Sequence, residues 1–575
     1  MRLSTERDRD EARGVDVLHA AFDLGVTFLD TADAYCLDDS DVGHNERLIA
    51  RALETWSGER GSIVVATKGG LTRPNGQWVP DGRARHLRTA CEASLKALGV
   101  ERIDLYQLHA PDPRVPLSTS VRALASLRED GLIARIGLCN VTVGQIEEAR
   151  RITEIAAVQV ELSVWHDDNL LNGVVQYCAE HNIQLIAYRP LGGSRRVRQL
   201  RHEPALRELA ERHHATPAEI ALAWLRDLSP HLISIPGATR IETVQSIVRA
   251  HNIRLSEEDR VRIGPQRPPQ RTASTREGEV VLIMGIPGAG KSTAARAFVD
   301  EGYARLNRDD AGGSLRGLLP HLARFVEDGH SRIVLDNTYM TRASRARVVQ
   351  AATALGLPVR CVHLATSVED AQVNAVTRII GKYGRLLGPE EMKQTVKRDI
   401  SAFAPTVQFR HQRELEPPDP AEGFSRIDVV PFERRRDPAM TNKALIVWCD
   451  DSLVDRGHML RRYRDEGWPL LGLAWCPQIE DKTTSVEDVD AGFIRMQEQL
   501  GVSIDVLYCP HAAGPPKCWC RKPLPGLGVV LIQRHRLDPA RCIYVGTGPQ
   551  DPGFARRLGF QYRDATEFFG SDLTA

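Results

Sequence analysis

The stretch from 279 to 293, EVVLIMGIPGAGKST, constrains this chain more than any other feature of its sequence. It fits the pattern G-x-x-x-x-G-K-[ST] in full, after an apolar run and before a helical pattern, which is the context of a phosphate-binding loop. In such loops backbone N–H groups and a lysine surround phosphate oxygens, and the next hydroxyl ligates Mg²⁺. The residues that we expect to bind ATP and its Mg²⁺ are Gly285, Gly288, Gly290, Lys291, Ser292 and Thr293, with Ser292 as the Mg²⁺ ligand.

An acidic residue follows this loop at the distance expected for the end of the next strand. Asp309, in ARLNRDD, is placed to accept the proton of an attacking hydroxyl, and Arg308 beside it is placed to hold an acceptor phosphate. A further strand, SRIVLDNT, ends in Asp336 and Asn337. Together these features predict ATP-dependent phosphoryl transfer.

The run LNRDD, VLDNTYMTRASRARVV and VRCVHLATSVEDAQVNAVTR resembles the kinase module of polynucleotide kinase–phosphatases, which heal broken nucleic-acid ends. The resemblance spans nearly all of residues 279–400. It implies that Lys291 and Ser292 bind ATP and Mg²⁺ and that Asp309 is the general base. It also implies that Arg345 contacts an RNA or DNA 5′-hydroxyl end. Arg378 is the candidate lid arginine for the transferring phosphoryl group, with Arg385 second, and a ligase is a candidate partner. A small-molecule kinase of the gluconate or shikimate type is the alternative, because no aromatic-rich platform for stacking bases is evident.

Residues 1–264 alternate β-rich runs with helical patterns, which predicts a parallel (β/α)8-type barrel with its helices outside. The predicted strands are VTFLDTA, SIVVATK, IDLYQLHA, ARIGLCN, AAVQVELS, IQLIAYR and HLISIPGA. A closed barrel needs eight strands, so we expect a barrel that lacks its first strand. A start site assigned too far downstream would explain the missing strand.

Polar residues follow successive predicted strands of this barrel, at the end where barrel enzymes carry their chemistry: Asp30, Tyr35, Lys68 and His109. In FLDTADAY, ATKGG and LYQLHAP they resemble the aldo-keto reductase tetrad, with Tyr35 as proton donor, Lys68 held by Asp30, and His109 orienting a carbonyl. The resemblance also implies NADPH contacts at Asn140, Gln159, Tyr188, Gly237 and Arg240. Ile247 stands where many members place an adenine-contacting Asn. If the native protein starts at Met1, the barrel is open on one side and we expect poor cofactor affinity.

A C-x-H pair and a C-x-C pair, Cys509, His511, Cys518 and Cys520, fit a tetrahedral Zn²⁺ site. The sequence YCPH…CWCRKPLPG resembles the zinc loop of heptose-bisphosphate and histidinol-phosphate phosphatases of the haloacid dehalogenase class. By that resemblance Lys522 would neutralise the phosphoaspartate, and the family's aspartates are kept at Asp450 and Asp551. Trp448, however, stands at the position of the nucleophile. We therefore expect an inactive phosphatase that serves as a zinc-stabilised docking module. A one-residue shift of the alignment would instead make Asp450 the nucleophile.

The three patterns predict three α/β units, at 1–264, 279–435 and 443–575, with a Pro-rich linker at 265–278. The 75 basic and 75 acidic residues cancel, so no overall field draws the chain to nucleic acid or membranes. An odd number of cysteines, eleven, and the absence of a secretory signal favour a cytoplasmic protein.

The leading hypothesis is a polynucleotide 5′-hydroxyl kinase in end repair. The alternative is an NADPH-dependent oxidoreductase of small carbonyls with an accessory ATPase, and a third hypothesis makes both flanking units scaffolds.

Overall fold

The computed structural model describes residues 2–264, 277–512 and 518–570. Most of the predicted linker, 265–276, lies outside the described residues. The chain divides into two compact units, Met1–Gln270 and Arg271–Ala575. Among the described helices, none combines the length and apolar character that crossing a membrane requires.

Parallel strands form the core of the first unit. Within residues 2–264 they pair in one seven-stranded sheet, in the order β1-β2-β5-β6-β7-β8-β9, and β3 pairs with β4 in a short antiparallel hairpin. The strands are β1 (Phe28–Asp30), β2 (Val64–Gly69), β3 (Leu71–Thr72), β4 (Val79–Pro80), β5 (Ile103–Leu108), β6 (Ile133–Cys139), β7 (Ala157–Glu161), β8 (Gln184–Tyr188) and β9 (Leu232–Ser234). All seven predicted strands are confirmed, and no pairing joins β9 to β1 in the described residues.

A single side-chain contact shows that this sheet curls around an interior. The Gln159 Nε2 atom on β7 donates a hydrogen bond to Asp30 Oδ1 on β1 at 2.7 Å. Four strand spacings separate β1 from β7, which in a flat sheet would hold the two backbones about 19 Å apart. The carboxyl ends of the strands therefore converge on one pocket, as a barrel requires.

Helices cover the outside of the sheet and share a large apolar cluster with it. Several begin at a capping box; at α11, for example, Thr216 and Glu219 each bond the other's backbone N–H. The helices are α1 (Arg2–Thr5), α2 (Glu11–Asp23), α3 (His44–Thr55), α4 (Ala84–Leu98), α5 (Leu117–Glu129), α6 (Val143–Arg150), α7 (Asp168–Leu171), α8 (Val174–Glu180), α9 (Gly193–Arg196), α10 (Pro204–Arg212), α11 (Pro217–Asp227), α12 (Ile241–Asn252) and α13 (Glu257–Ile263).

The second unit begins with a parallel sheet around the phosphate loop. Its strands pair in the order β11-β12-β10-β13-β14, and the loop joins the central strand β10 to α14. The strands are β10 (Glu279–Met284), β11 (Ala304–Leu306), β12 (Arg332–Asp336), β13 (Val359–Ala365) and β14 (Arg426–Pro431). The helices are α14 (Lys291–Asp300), α15 (Arg308–Ala311), α16 (Leu319–Glu327), α17 (Arg342–Ala354), α18 (Val368–Tyr383), α19 (Pro389–Thr395) and α20 (Thr406–Glu414).

Another parallel sheet follows in the same unit, in the order β17-β16-β15-β18-β19. Its strands are β15 (Leu445–Trp448), β16 (Leu470–Trp475), β17 (Asp505–Cys509), β18 (Ile543–Gly546) and β19 (Gln561–Asp564), of which β19 was not expected from the sequence. Its helices are α21 (Gly457–Asp465), α22 (Val486–Leu500), α23 (Gly526–His535), α24 (Asp551–Leu558) and α25 (Ala565–Gly570).

One apolar cluster joins a helix of the P-loop part to the last sheet of the second unit. Val376 and Ile379 of α18 belong to the same buried cluster as Leu527 of α23 and Phe554 of α24. At the edge of this cluster Arg557 donates to Gln372 Oε1 at 2.9 Å. The predicted division at 435–443 thus separates two sheets whose helices pack directly together.

Candidate active sites

The tetrad predicted at the ends of three neighbouring strands is assembled in the structure. The Lys68 ammonium donates to Asp30 Oδ2 at 2.6 Å and to the Tyr35 hydroxyl at 3.2 Å. A third bond, to the Thr31 carbonyl at 2.7 Å, completes its three donors. The His109 ring lies 5.6 Å from the Tyr35 ring, edge to face. One buried cation thus joins the carboxylate to the phenol.

Burial and charge set the protonation of these groups. Burial raises the pKa of Tyr35 to about 12, against the opposing effect of Lys68, so the phenol carries its proton at neutral pH. Burial lowers the Lys68 pKa, but Asp30 and Tyr35 outweigh it, and the net pKa is raised. Burial and the Lys68 charge hold the pKa of His109 well below its usual value, so its imidazole is neutral. The pocket therefore offers one proton donor beside a neutral imidazole.

Three of the residues expected at the cofactor, Asn140, Gln159 and Tyr188, are joined to this pocket by hydrogen bonds. Tyr188 donates to Asn140 Oδ1 at 2.8 Å, and Asn140 in turn donates to the His109 carbonyl at 3.1 Å. Gly237 and Arg240 are exposed in the loop between β9 and α12, and the space above Gly237 is open. Gln159 spends one amide N–H on Asp30, so in this structure it holds the tetrad carboxylate as well as facing the expected nicotinamide position.

An aromatic side chain that the sequence did not single out borders the tetrad. Trp78, beside the β3–β4 hairpin, packs edge to face with Tyr35 at 6.3 Å and with His109 at 6.1 Å. The Arg73 guanidinium stacks on its outer ring at 4.0 Å. The signal available in the sequence was a lone tryptophan close after ATKGG.

The phosphate loop is braced by the helices that follow it. Gly288 has φ +90°, and a Cβ there would lie 2.3 Å from the Ala371 carbonyl of α18, so only glycine fits. Asn374 of α18 donates to the Gly288 carbonyl at 2.9 Å, and Gln408 of α20 donates to the Pro287 carbonyl at 2.7 Å. Gly285 and Gly290 also have positive φ, and Ser292 and Thr293 are exposed on the first turn of α14.

Lys291 lies at the centre of the charged groups of this site. Its ammonium donates to the Gly285 and Ile286 carbonyls, both at 2.9 Å. Burial lowers its pKa to about 8; the charge of Asp336 opposes this, and that of Arg378 adds to it. The sequence noted Asp336 at a strand end without a role, but here its fully buried carboxylate pairs with Arg305 at 2.9 Å.

Asp309 and its neighbour lie at the mouth of the phosphate loop. The Asp309 carboxylate, half exposed, accepts from the Arg308 guanidinium at 3.0 Å. The Asn307 side chain caps its backbone N–H at 2.6 Å and also donates to Asp336. The negative charge of Asp309 opposes the lowering of the pKa of both Lys291 and Arg378.

The two candidate lid arginines lie in different surroundings. Arg378 donates to the Ser401 carbonyl at 3.1 Å, and its pKa is lowered by burial. Arg385 is well exposed and pairs with Glu391 at 2.7 Å. Of the two arginines, Arg378 is the one whose charge acts on the pKa of Lys291, which favours Arg378.

Arg345 does not face a nucleic-acid end in this structure. Its side chain is fully buried and pairs with Glu422, through Nε at 2.8 Å and Nη2 at 2.7 Å. Its remaining N–H groups bond to backbone carbonyls, those of Tyr339, Met340, Glu416 and Pro417. Every donor is therefore used inside the unit, and the bonds to Glu416, Pro417 and Glu422 hold the 416–422 segment against α17, which is a structural role.

The predicted Cys/His cluster is brought together. One ligand atom from each of Cys509, His511, Cys518 and Cys520 lies within 4.8 Å of all the others. Among them His511 Nδ1 lies 3.2 Å from Cys520 Sγ. A set of three thiols and one imidazole at this spacing is the donor set of a closed tetrahedral metal site.

In the predicted phosphatase remnant, the Lys522 side chain contacts both Asp551 and Trp448. Trp448 ends the central strand β15, and the Lys522 ammonium lies over its indole ring. Lys522 also forms an ion pair with the fully buried Asp551. Asp450 is exposed two residues after the strand, and its charge acts on Lys522. The cation is thus neutralised by a carboxylate and covered by a ring.

Comparison with known proteins gives two regions of similarity. Residues 280–379 match a profile described as an AAA domain, which places a P-loop unit at the predicted phosphate loop. A solved thermostable aldo-keto reductase in complex with epalrestat is 30% identical and covers 45% of this chain and 89% of that chain, with TM-score 0.39. The aldo/keto reductase of Klebsiella pneumoniae in complex with NADP and acetate is 27% identical, covers 45% and 87%, and has TM-score 0.39.

Residues 1–264 match the profile of the aldo/keto reductase family. Probable aldo-keto reductase 1 of Glycine max is 34% identical over 276 residues, which is 43% of this chain and 78% of that protein. An uncharacterized oxidoreductase of Schizosaccharomyces pombe is 32% identical over 255 residues, or 44% and 78%. Because the tetrad is assembled and these relatives are similar over most of their own length, the chain belongs to the aldo/keto reductase family.

Proposed function

We propose that this chain joins two enzymes, an NADPH-dependent carbonyl reductase and an ATP-dependent polynucleotide 5′-hydroxyl kinase. The reductase is the better supported, and one observation carries it: the Lys68 ammonium bridges Asp30 and the Tyr35 hydroxyl inside a buried pocket. That arrangement is costly to bury without a purpose, since a cation and a carboxylate both lose water.

In the reductase, Tyr35 gives its proton to the carbonyl oxygen as the oxygen gains negative charge. Lys68 eases this transfer because its positive charge stabilises the phenolate that remains. Asn140, Gln159, Tyr188, Gly237 and Arg240 would hold NADPH, which would supply the hydride. The relative from Klebsiella pneumoniae was solved with NADP, which supports the cofactor. The neutral His109 orients the carbonyl by a hydrogen bond.

The test is NADPH oxidation by the full-length protein, with simple aldehydes and with aldehyde-ended oligonucleotides as separate substrates. We expect Tyr35→Phe to lower kcat by a factor on the order of 10²–10⁴, as the loss of a general acid does. Tyr177→Phe is the control, because Tyr177 stacks on His181 at the surface of the same unit. Unchanged turnover in Tyr35→Phe would remove the reductase proposal.

A specific observation favours the kinase as the second activity: the Lys291 ammonium lies at the phosphate loop, on the Gly285 and Ile286 carbonyls, and the charges of Asp309 and Arg378 both act on its pKa. Asp309 would accept the proton of a 5′-hydroxyl, while Arg378 and Lys291 stabilise the charge of the transferring phosphoryl group. Ser292 is the residue that would hold Mg²⁺. Arg308 remains a candidate contact for the acceptor phosphate, RNA or DNA.

The kinase is tested by phosphate transfer from γ-labelled ATP to 5′-hydroxyl RNA and DNA oligonucleotides. Asp309→Ala should abolish transfer, whereas Asp310→Ala should not, because Asp310 is exposed and its carboxylate pairs with Arg305. Transfer to gluconate or shikimate, with none to either oligonucleotide, would replace this proposal by a small-molecule kinase.

The last sheet, in this proposal, is a phosphatase-like unit of the haloacid dehalogenase class without phosphatase activity. Support comes from Trp448 at the end of the central strand and from Lys522 already paired with Asp551. The four-residue cluster would bind Zn²⁺, which is suited to thiolate and imidazole ligands. The unit would serve the kinase as a stabilising module, with a ligase as a candidate partner of the whole protein.

A further inference from the structure

One tryptophan connects the Cys/His cluster to the turn that contacts Arg378, the candidate lid arginine of the P-loop unit. Trp519 lies between the cluster residues Cys518 and Cys520 and is 1% exposed. Its indole N–H donates to the Phe403 carbonyl at 3.1 Å, and the two rings pack edge to face at 6.1 Å. The contact joins segments 116 residues apart in the chain.

Phe403 in turn supports the lid arginine. The Arg378 guanidinium lies 5.7 Å from the centre of the Phe403 ring, and its Nη2 atom donates to the Ser401 carbonyl at 3.1 Å. The 401–403 turn is therefore the surface on which Arg378 rests. A guanidinium between a ring face and a carbonyl has few other orientations that keep both contacts.

The same turn is anchored on its other side. Asp399 accepts from the Tyr383 hydroxyl at 2.6 Å and pairs with Lys382 at 2.7 Å, both at the end of α18. It also accepts from the Ser401 hydroxyl at 2.6 Å. Within the described residues the turn is thus held by α18 on one side and by Trp519 on the other.

We infer that Trp519 and Phe403 are positioning residues for Arg378, so that the Cys/His cluster sets the rate of phosphoryl transfer. The inference rests on the proposed phosphoryl-transfer function of the P-loop unit. A metal ion bound to the cluster would fix Cys518 and Cys520, the two neighbours of Trp519. Through Trp519 it would also fix the position of the 401–403 turn that contacts Arg378. The phosphate loop itself is braced separately, by Asn374 and Gln408, so ATP binding should not depend on Trp519.

The experiment is a double-mutant cycle on the full-length protein, with Trp519→Leu, Arg378→Ala and both together. Displacing a positioned group costs about 100-fold in rate, so Trp519→Leu should lower kcat on that order while KM for ATP stays unchanged. In the Arg378→Ala background Trp519→Leu should cost nothing further. Trp519→Phe, which keeps a ring and loses the hydrogen bond, should recover part of kcat.

A second readout does not depend on activity. Hydrogen exchange of residues 399–403 should quicken in Trp519→Leu and remain slow in Trp468→Leu. Trp468 is the matched control because it packs on Tyr463, at 5.6 Å, in the same sheet unit. Cys518→Ser should lower bound zinc, measured by mass spectrometry of the metal, and quicken exchange in the same residues.

The possible outcomes distinguish the positioning role of Trp519 from the proposed kinase activity. Losses in kcat that add in the double variant, or unchanged exchange at 399–403, would overturn the positioning role. A wild-type protein that phosphorylates no oligonucleotide would sink the 5′-hydroxyl kinase, and the same cycle on ATP hydrolysis would then decide the role of Trp519.

Discussion

The Lys522 ammonium lies 3.2 Å from the centre of the Trp448 indole ring. It also donates to the Tyr544 hydroxyl at 3.1 Å, and Tyr544 donates to Asp551 at 2.8 Å. A cation–π contact this close, in partly buried surroundings, contributes about 2 kcal/mol. The ring, the ammonium, the phenol and the carboxylate thus satisfy one another at the end of β15.

We predict that the protein releases no phosphate from 3′-phosphate oligonucleotides in the presence of Mg²⁺. No carboxylate lies at the end of β15 to form the covalent intermediate, because the residue there is Trp448. The measurement is phosphate release by wild type and by Asp450→Ala. Vanadate-sensitive release that disappears in Asp450→Ala would show instead that Asp450 is the nucleophile.

The affinity for ATP should fall as pH rises above about 8. Burial lowers the Lys291 pKa to about 8, and only the protonated ammonium attracts phosphate, so the favourable charge is present below this pH and lost above it. The measurement is Kd for ATP from pH 6 to 9.5. Lys291→Arg should flatten the profile because a guanidinium stays charged. A wild-type profile as flat as that of the variant would contradict the prediction.

Arg345→Ala should destabilise the second unit by about 3–5 kcal/mol, because it leaves Glu422 buried without its partner. Chemical denaturation with a probe in this unit measures the loss. Arg342→Ala is the control, since Arg342 begins the same helix and is only half-buried. If Arg345→Ala kept full stability and lost oligonucleotide affinity, the nucleic-acid contact first expected for Arg345 would return.

Cys520→Ser should lower the zinc content of the purified protein, because it removes one of four ligand atoms that converge within 4.8 Å. Metal analysis of wild type and variant gives the stoichiometry. Cys542→Ser is the matched control, because Cys542 is a buried cysteine of the same sheet outside the cluster. Equal zinc in wild type and Cys520→Ser would remove this cysteine from the site.

The strands of the first unit were predictable because each buried run is short, apolar and bounded by a helix. The tetrad was predictable for the same reason: Lys68 ends β2 and Asp30 ends β1, so neighbouring strands bring them together. Trp78 was not, because the hairpin that carries it has two-residue strands without a periodic pattern.

Roles that depend on distant contacts were not predictable from local patterns. Arg345 sits in a basic run that reads as a binding surface, yet its partner, Glu422, lies 77 residues later. Gln159 was assigned to a cofactor, but the curl of the sheet also brings it to Asp30. Likewise no local pattern relates Trp519 to Phe403.

The apolar cluster that joins α18 to the last sheet has a thermodynamic consequence. Helices α18, α23 and α24 bury one another's surface, so unfolding of the last sheet would expose apolar residues of α18 such as Val376 and Ile379. Calorimetry should therefore record one cooperative transition for residues 277–570, and cutting the chain between the sheets should yield two fragments that aggregate. A sheet with no catalytic carboxylate would then be retained as half of a folding unit.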